Sequence, residues 1–270
     1  MRESPEAISV NFESMIFQAA RCLVIPDVHQ DIAWVERIFA KEDHGTAKPD
    51  LVVFLGDYFD SRRPPEERAG VEATCAYLEE LRRRLGDRAV FLLGNHDVQY
   101  WEARRACLAR RTPRNLRYQC GAAFSHSAAK QVAKKLSPEF WSGTRLFIEV
   151  NGWLLSHAGL APAFWPSRAT VGKSLAALDA DARAALESIT TPTPPHPLLQ
   201  AGVMRGGDAP TGGVTWLDWE NEFQDDLPLP QIVGHSMNRA GARQTARSWC
   251  LDGAQSCYGV LTAKGLRVVT

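Results

Sequence analysis

Short apolar runs alternate with longer amphipathic stretches through the first third of the chain, and that alternation predicts its elements. Residues 22–26, 51–55 and 89–93 are apolar runs of strand length. Between them, 32–40 carries apolar residues at helical spacing, and Pro64-Pro65 starts a second helical stretch running from 66 to about 85. Strands separated this way by helices pair in parallel and are buried on both faces. Residues 99–136, rich in Ala and Arg, read as helical with a break at Pro113. Two further runs, 144–150 and 153–156, flank Asn151-Gly152, a dipeptide suited to a tight hairpin. Beyond them the pattern loosens. Stretches 161–166 and 191–197 are proline-rich around an expected helix at 175–189, and paired glycines bracket a loop before Trp216-Leu217-Asp218-Trp219. Short strands return at 231–233, 248–251, 258–261 and 266–269.

Four of the apolar runs end on polar motifs. Residues 22–26 lead to Asp27-Val28-His29, 51–55 to Gly56-Asp57-Tyr58-Phe59-Asp60, 90–93 to Gly94-Asn95-His96-Asp97, and 231–233 to Gly234-His235. The hairpin's second strand delivers a fifth, Ser156-His157-Ala158-Gly159. Ligands of open α/β sheets sit outside the carboxyl ends of the strands, where these motifs fall. Asp, His and Asn gathered on one rim suit a two-cation hydrolytic centre. Asp97 is expected to cap the following helix, and Tyr58 and Phe59 to pack beneath the site. His44, His126 and His196 lack a ligand-like context and read as surface residues.

Charge narrows the field. The chain has 31 basic and 31 acidic side chains, so no global potential recruits nucleic acid or an anionic membrane. The arginine clusters at 82–84 and 104–105 lie in helical stretches and read as solvated faces. No apolar run approaches the roughly twenty residues of a membrane span, and residues 1–20 mix charges with apolar positions without a signal-peptide core. The six cysteines form no C-x-x-C pair, which points to reduced thiols and a cytoplasmic protein, with a Cys250–Cys257 bridge left open.

Taken in order, Asp-x-His, Gly-Asp-x-x-Asp, Gly-Asn-His-Asp, His and Gly-His resemble the pattern of the calcineurin-like metallophosphoesterases, and the resemblance spans Asp27 to His235. It implies an α/β fold of four layers, an αββα sandwich in which two mixed β-sheets pack face to face with helices on both outer sides. One domain is expected over 1–270, with 161–230 as a lid or substrate-shaping insertion. The resemblance also implies two divalent metal ions, Mn²⁺ being expected and Fe or Zn²⁺ compatible with mixed oxygen and nitrogen donors. Asp27 and His29 correspond to ligands of the first ion, Asp57 to the bridging carboxylate, and Asn95, His157 and His235 to ligands of the second. His96, held by Asp60, corresponds to the general acid that protonates the leaving group.

Two departures qualify the likeness. The phosphoprotein-phosphatase-like members carry Arg directly after the second carboxylate, whereas here Ser61 stands there and Arg62 and Arg63 follow. The diesterase branches end in Gly-His-x-His, but this chain reads Gly234-His235-Ser236-Met237. The second departure favours the phosphoprotein-phosphatase-like branch and phosphoric monoesters, with a phosphorylated small molecule, nucleotide or phosphoprotein as substrate. Arg62, Arg63, Arg205 and Arg239 are candidate phosphate grips. The competing expectations are a hydrolase of dinucleoside polyphosphates or cyclic phosphodiesters, and a catalytically silent scaffold. No membrane or nucleic-acid partner is expected.

Overall fold

A computed structural model describes residues 15–43, 48–119, 121 and 123–270. In chain order the elements are β1 (Ile16–Phe17), β2 (Cys22–Ile25), α1 (Ile32–Glu42), β3 (Leu51–Phe54), α2 (Val71–Leu85), β4 (Ala89–Phe91), α3 (Asn95–Leu108), α4 (His126–Lys135), α5 (Pro138–Ser142), β5 (Phe147–Val150), β6 (Trp153–Ser156), α6 (Val171–Thr190), β7 (Gln231–Val233), β8 (Arg243–Gln244), β9 (Trp249–Cys250), β10 (Tyr258–Thr262) and β11 (Gly265–Val269). The expected His44 surface position lies outside the described residues; His126 is exposed and His196 half-buried. Among the described residues no helix is long and apolar enough to cross a membrane.

The strands form two mixed sheets, ordered β11-β10-β2-β3-β4 and β1-β5-β6-β7-β9-β8. Within the first, β2, β3 and β4 run parallel, as their continuous apolar runs and intervening helices require. Within the second, β6, β7 and β9 run parallel. Alternate residues of each strand face opposite ways. Cys22, Val24, Leu51, Val53 and Val90 of one sheet meet Ile148, Val150, Leu155 and Ile232 of the other in a core between them. The opposite set, Leu23, Ile25, Val52, Phe54 and Phe91, packs under α1 and α2 through Val35, Ile38, Leu78 and Leu81. Both faces of β2, β3 and β4 are thus covered, so these strands carry no polar alternation.

Several boundaries differ from the sequence pattern. The second helix begins at Val71, not 66, because Pro65–Glu67 forms a separate 3₁₀ turn. None of the described residues of 109–125 is helical. Instead α3 begins four residues early, at Asn95, and ends at Leu108. Its early start comes from Asp97, whose side chain accepts from the Gly94 N–H at 2.8 Å and caps the first turn. The two-residue strands β1 and β8 carry too little pattern to be read. The Cys250–Cys257 bridge does not form: Cys250 Sγ faces Gly234 O at 3.2 Å and Cys257 Sγ faces Leu251 O at 3.3 Å.

Candidate metal centre

The two parallel trios end at a common rim, and each strand hands over one polar residue there: Asp27 after β2, Asp57 after β3, Asn95 after β4, His157 after β6, His235 after β7 and Asp252 after β9. Contacts across the sheets show that the ends meet. His235 N donates to Asp27 Oδ1 at 2.9 Å, and His157 Nε2 lies 3.1 Å from Asn95 Oδ1. The approach is close enough to explain two motif glycines. A Cβ at Gly94 would lie 2.1 Å from Asp57 Oδ1, and one at Gly234 would lie 2.1 Å from Asp27 Oδ1.

Backbone carbonyls fix the imidazole tautomers. His29 Nδ1 is 2.7 Å from Phe59 O, and a carbonyl only accepts, so Nδ1 carries the proton. Its Nε2 lone pair then faces Asp27 Oδ2 at 3.9 Å and Asp57 Oδ2 at 3.8 Å. His157 Nδ1 donates to Leu55 O at 2.9 Å in the same way. Its Nε2 converges with Asn95 Oδ1, His235 Nδ1 at 3.2 Å and Asp57 Oδ2 at 3.4 Å. His235 Nδ1 is itself 2.9 Å from Asn95 Oδ1. Asp27, His29 and Asp57 offer ligand atoms within 4.8 Å of one another, and so do Asp57, His157 and His235. Converging carboxylate, amide and imidazole lone pairs around a shared Asp57 fit two divalent cations.

The electrostatics of the same groups attract positive charge. Burial works against a charged His157, yet Asp57 and Asp27 outweigh it and raise its pKa to about 9. Burial likewise pushes Asp57 upward, but His157, His96 and His29 hold it well below the usual carboxylate range. Asp27 is raised to about 6 by burial, with His157 opposing and Asp57 adding. Backbone geometry is concentrated here as well: His29, Asp57, Asp60 and His235 all have positive φ, at 43°, 53°, 61° and 65°. Left-handed non-glycine residues are costly and persist where surrounding structure over-determines them.

Beside the cluster, His96 Nδ1 lies 2.9 Å from Asp60 Oδ2. Gln99 Nε2 donates to the same oxygen at 2.5 Å, and the Tyr100 hydroxyl donates to Asp60 Oδ1. Burial lowers the pKa of His96, but Asp57, Asp60 and Asp97 outweigh it, and the net direction is upward. The ring stands edge-on to His29, with centroids 5.4 Å apart. Tyr58 and Phe59 are fully buried beneath, as expected.

The four candidate arginines are not gathered. Arg62 and Arg239 are exposed. Arg63 is paired with Asp31 at 2.7 Å and reaches Gln255. Arg205 alone joins the site's wall: its Nε is 2.9 Å from Asp218 Oδ2, its Nη2 donates to Ser236 Oγ at 2.5 Å, and its charge acts on His235. The sequence reading missed Gln99 and Tyr100, although three- and four-residue spacing from His96 puts them on its helix face. It also read Asp97 as a cap alone. Asp97 accepts from the N–H groups of Asp57 at 2.7 Å and Tyr58 at 3.0 Å, locking the β3 loop to α3.

Among solved structures, the chain resembles the cold-active protein-tyrosine phosphatase of a psychrophile, Shewanella sp., at 14% identity, covering 99% of this chain and 85% of that one with a TM-score of 0.57. It also resembles a protein serine/threonine phosphatase from Saccharomyces cerevisiae with similarity to human phosphatase PP5, at 14% identity, covering 95% and 83% with a TM-score of 0.51. At such identities the likeness shows the fold, the α/β sandwich of two mixed sheets. A comparison with curated proteins gives no match. The sequence model of the calcineurin-like phosphoesterases matches residues 20–236, and the chain belongs to that family. It is a metal-dependent phosphoester hydrolase.

Proposed function

We propose that this protein hydrolyses phosphoric monoesters at a centre of two divalent cations, with Mn²⁺ as the favoured ion. The observation that carries the reading is the His96–Asp60 pair, 2.9 Å apart, beside two convergent donor sets that share Asp57. Asp27, His29 and Asp57 would hold one cation, and Asp57, Asn95, His157 and His235 the other. When bound, the two cations supply an acidified water as nucleophile and stabilise charge on the phosphoryl oxygens.

The side chains do the rest. Asp60 orients the His96 ring and keeps its proton, which passes to the departing alkoxide oxygen. Such general acid catalysis typically contributes ~10²–10⁴-fold. Arg205, held by Asp218 and Ser236, grips a phosphate oxygen in this reading. The chain acts as one domain in this reading, with 161–230 shaping the entrance, and it works in the cytoplasm on a phosphorylated small molecule, nucleotide or phosphoprotein.

The test is Mn²⁺-dependent cleavage of a nitrophenyl monoester against the bis-nitrophenyl diester, with Asp57→Asn as control. Faster monoester cleavage, lost in Asp57→Asn, is expected. Faster diester cleavage would replace the monoesterase with a phosphodiesterase, and failure to bind Mn²⁺ would leave a silent scaffold.

A further inference from the structure

Six strand ends deliver polar residues to the rim, and five of those residues have a place in the two donor sets. Asp252, after β9, does not. Cys250 pairs with Val233, and Leu251 N donates to Val233 O at 2.7 Å, so the chain leaving β9 emerges beside the one that carries His235. Asp252 is only 4% exposed. Its turn is tightly anchored: Asn238 N donates to Asp252 O at 2.9 Å, and Ala254 N donates to Asp252 Oδ1 at 3.1 Å. Left-handed Ala254 and Gln255, with φ of 55° and 59°, then curl the chain back, and Gln255 Nε2 donates to Asp27 O at 3.1 Å.

The Asp252 carboxyl interacts with Asp27, His29 and Asp57, the first donor set. Asp252 thus adds a third buried carboxylate to Asp27 and Asp57, against the imidazoles of His29 and His157. Arg63, which reaches Gln255, is engaged by Asp31. Burying that much like charge is costly without a compensating cation. Asp252 is not in the set whose ligand atoms lie within 4.8 Å of one another, so its part at this subsite is indirect.

We propose that Asp252 is a positioning residue of the cation subsite formed by Asp27, His29 and Asp57, acting through a water in the cation's shell. It supplies the charge that Gly234-His235-Ser236-Met237 leaves short at this subsite. The inference rests on the two-cation reading above.

The experiment is Mn²⁺ titration by calorimetry and electron paramagnetic resonance of the full chain, comparing wild type, Asp252→Asn and Asp252→Glu, with near-UV circular dichroism to verify the fold. Wild type binding no Mn²⁺ overturns the two-cation reading itself. Given two ions in wild type, Asp252→Asn is expected to weaken the looser ion by about 10–100-fold, leave the tighter ion unchanged, and be partly restored by Asp252→Glu. Unchanged affinity for both ions in folded Asp252→Asn would overturn the proposal. Equal losses in Asn and Glu variants would also overturn it, because the role would then be shape and not charge.

Discussion

At the scale of single residues, the site is governed by which proton sits where. Carbonyl oxygens of Phe59 and Leu55 take the Nδ1 protons of His29 and His157, so Nε2 of each ring faces Asp57 and is the atom left for a cation. Asp60 does the opposite for His96 and favours its protonated form. The sign follows directly. A raised pKa keeps the acid form present at low pH and loses it as pH rises through that value, so a His96 general acid would define the basic limb of the activity profile. In Asp60→Asn that limb is expected to move to lower pH, with kcat falling. A pH profile of kcat/KM measures this, and an unmoved limb would show that another group sets it. Arg205 makes a parallel point, since its guanidinium is fixed by Asp218 and Ser236, whereas sequence alone offered four equivalent arginines.

At the scale of elements, one carboxylate couples a strand to a helix. Asp97 gathers the N–H groups of Asp57, Tyr58 and Gly94, closing the first turn of α3 while holding the loop that presents Asp57. Asparagine has one acceptor oxygen and would turn an N–H toward those donors. Hydrogen bonds to charged groups contribute about 1.5–3 kcal/mol each, so Asp97→Asn is expected to cost at least about 2 kcal/mol. Denaturant unfolding should show a lower midpoint with an unchanged slope. A stability equal to wild type would mean the loop is held by other contacts. The helical reading of 99–136 holds in α3 and α4 and gives way between Leu108 and His126 for a related reason. Gly121 packs on His96, where a Cβ would lie 2.3 Å from the ring, so the chain there follows the site and not its own helix propensity.

At the scale of the whole molecule, the site is a seam. Asp27, Asp57 and Asn95 come from one sheet and His157 and His235 from the other, so cations bound there tie the sheets together. Any ligand that binds only the folded state stabilises it, by about 2.7 kcal/mol at a hundredfold excess over Kd. Mn²⁺ is therefore expected to raise the melting temperature and a chelator to reverse the gain, with both effects lost in Asp57→Asn. Insensitivity of the melt to Mn²⁺ would argue against ions at the seam.

The sequence by itself determined the buried strands and the candidate donors that follow them, because both are local facts. A strand covered on both faces must be apolar throughout, and a residue needed at its end must come next in the chain. The family pattern from Asp27 to His235 was readable for that reason. Tertiary structure decided what depends on distant partners: which arginine meets Ser236, why Gly94 and Gly234 must lack a side chain, and that Asp252 faces Asp27. The strand before Asp252 is legible at 248–251, but no motif after it marks the residue. Its significance arises where β9 lies beside β7, a neighbour relation set by packing of the two sheets and not by any spacing along the chain.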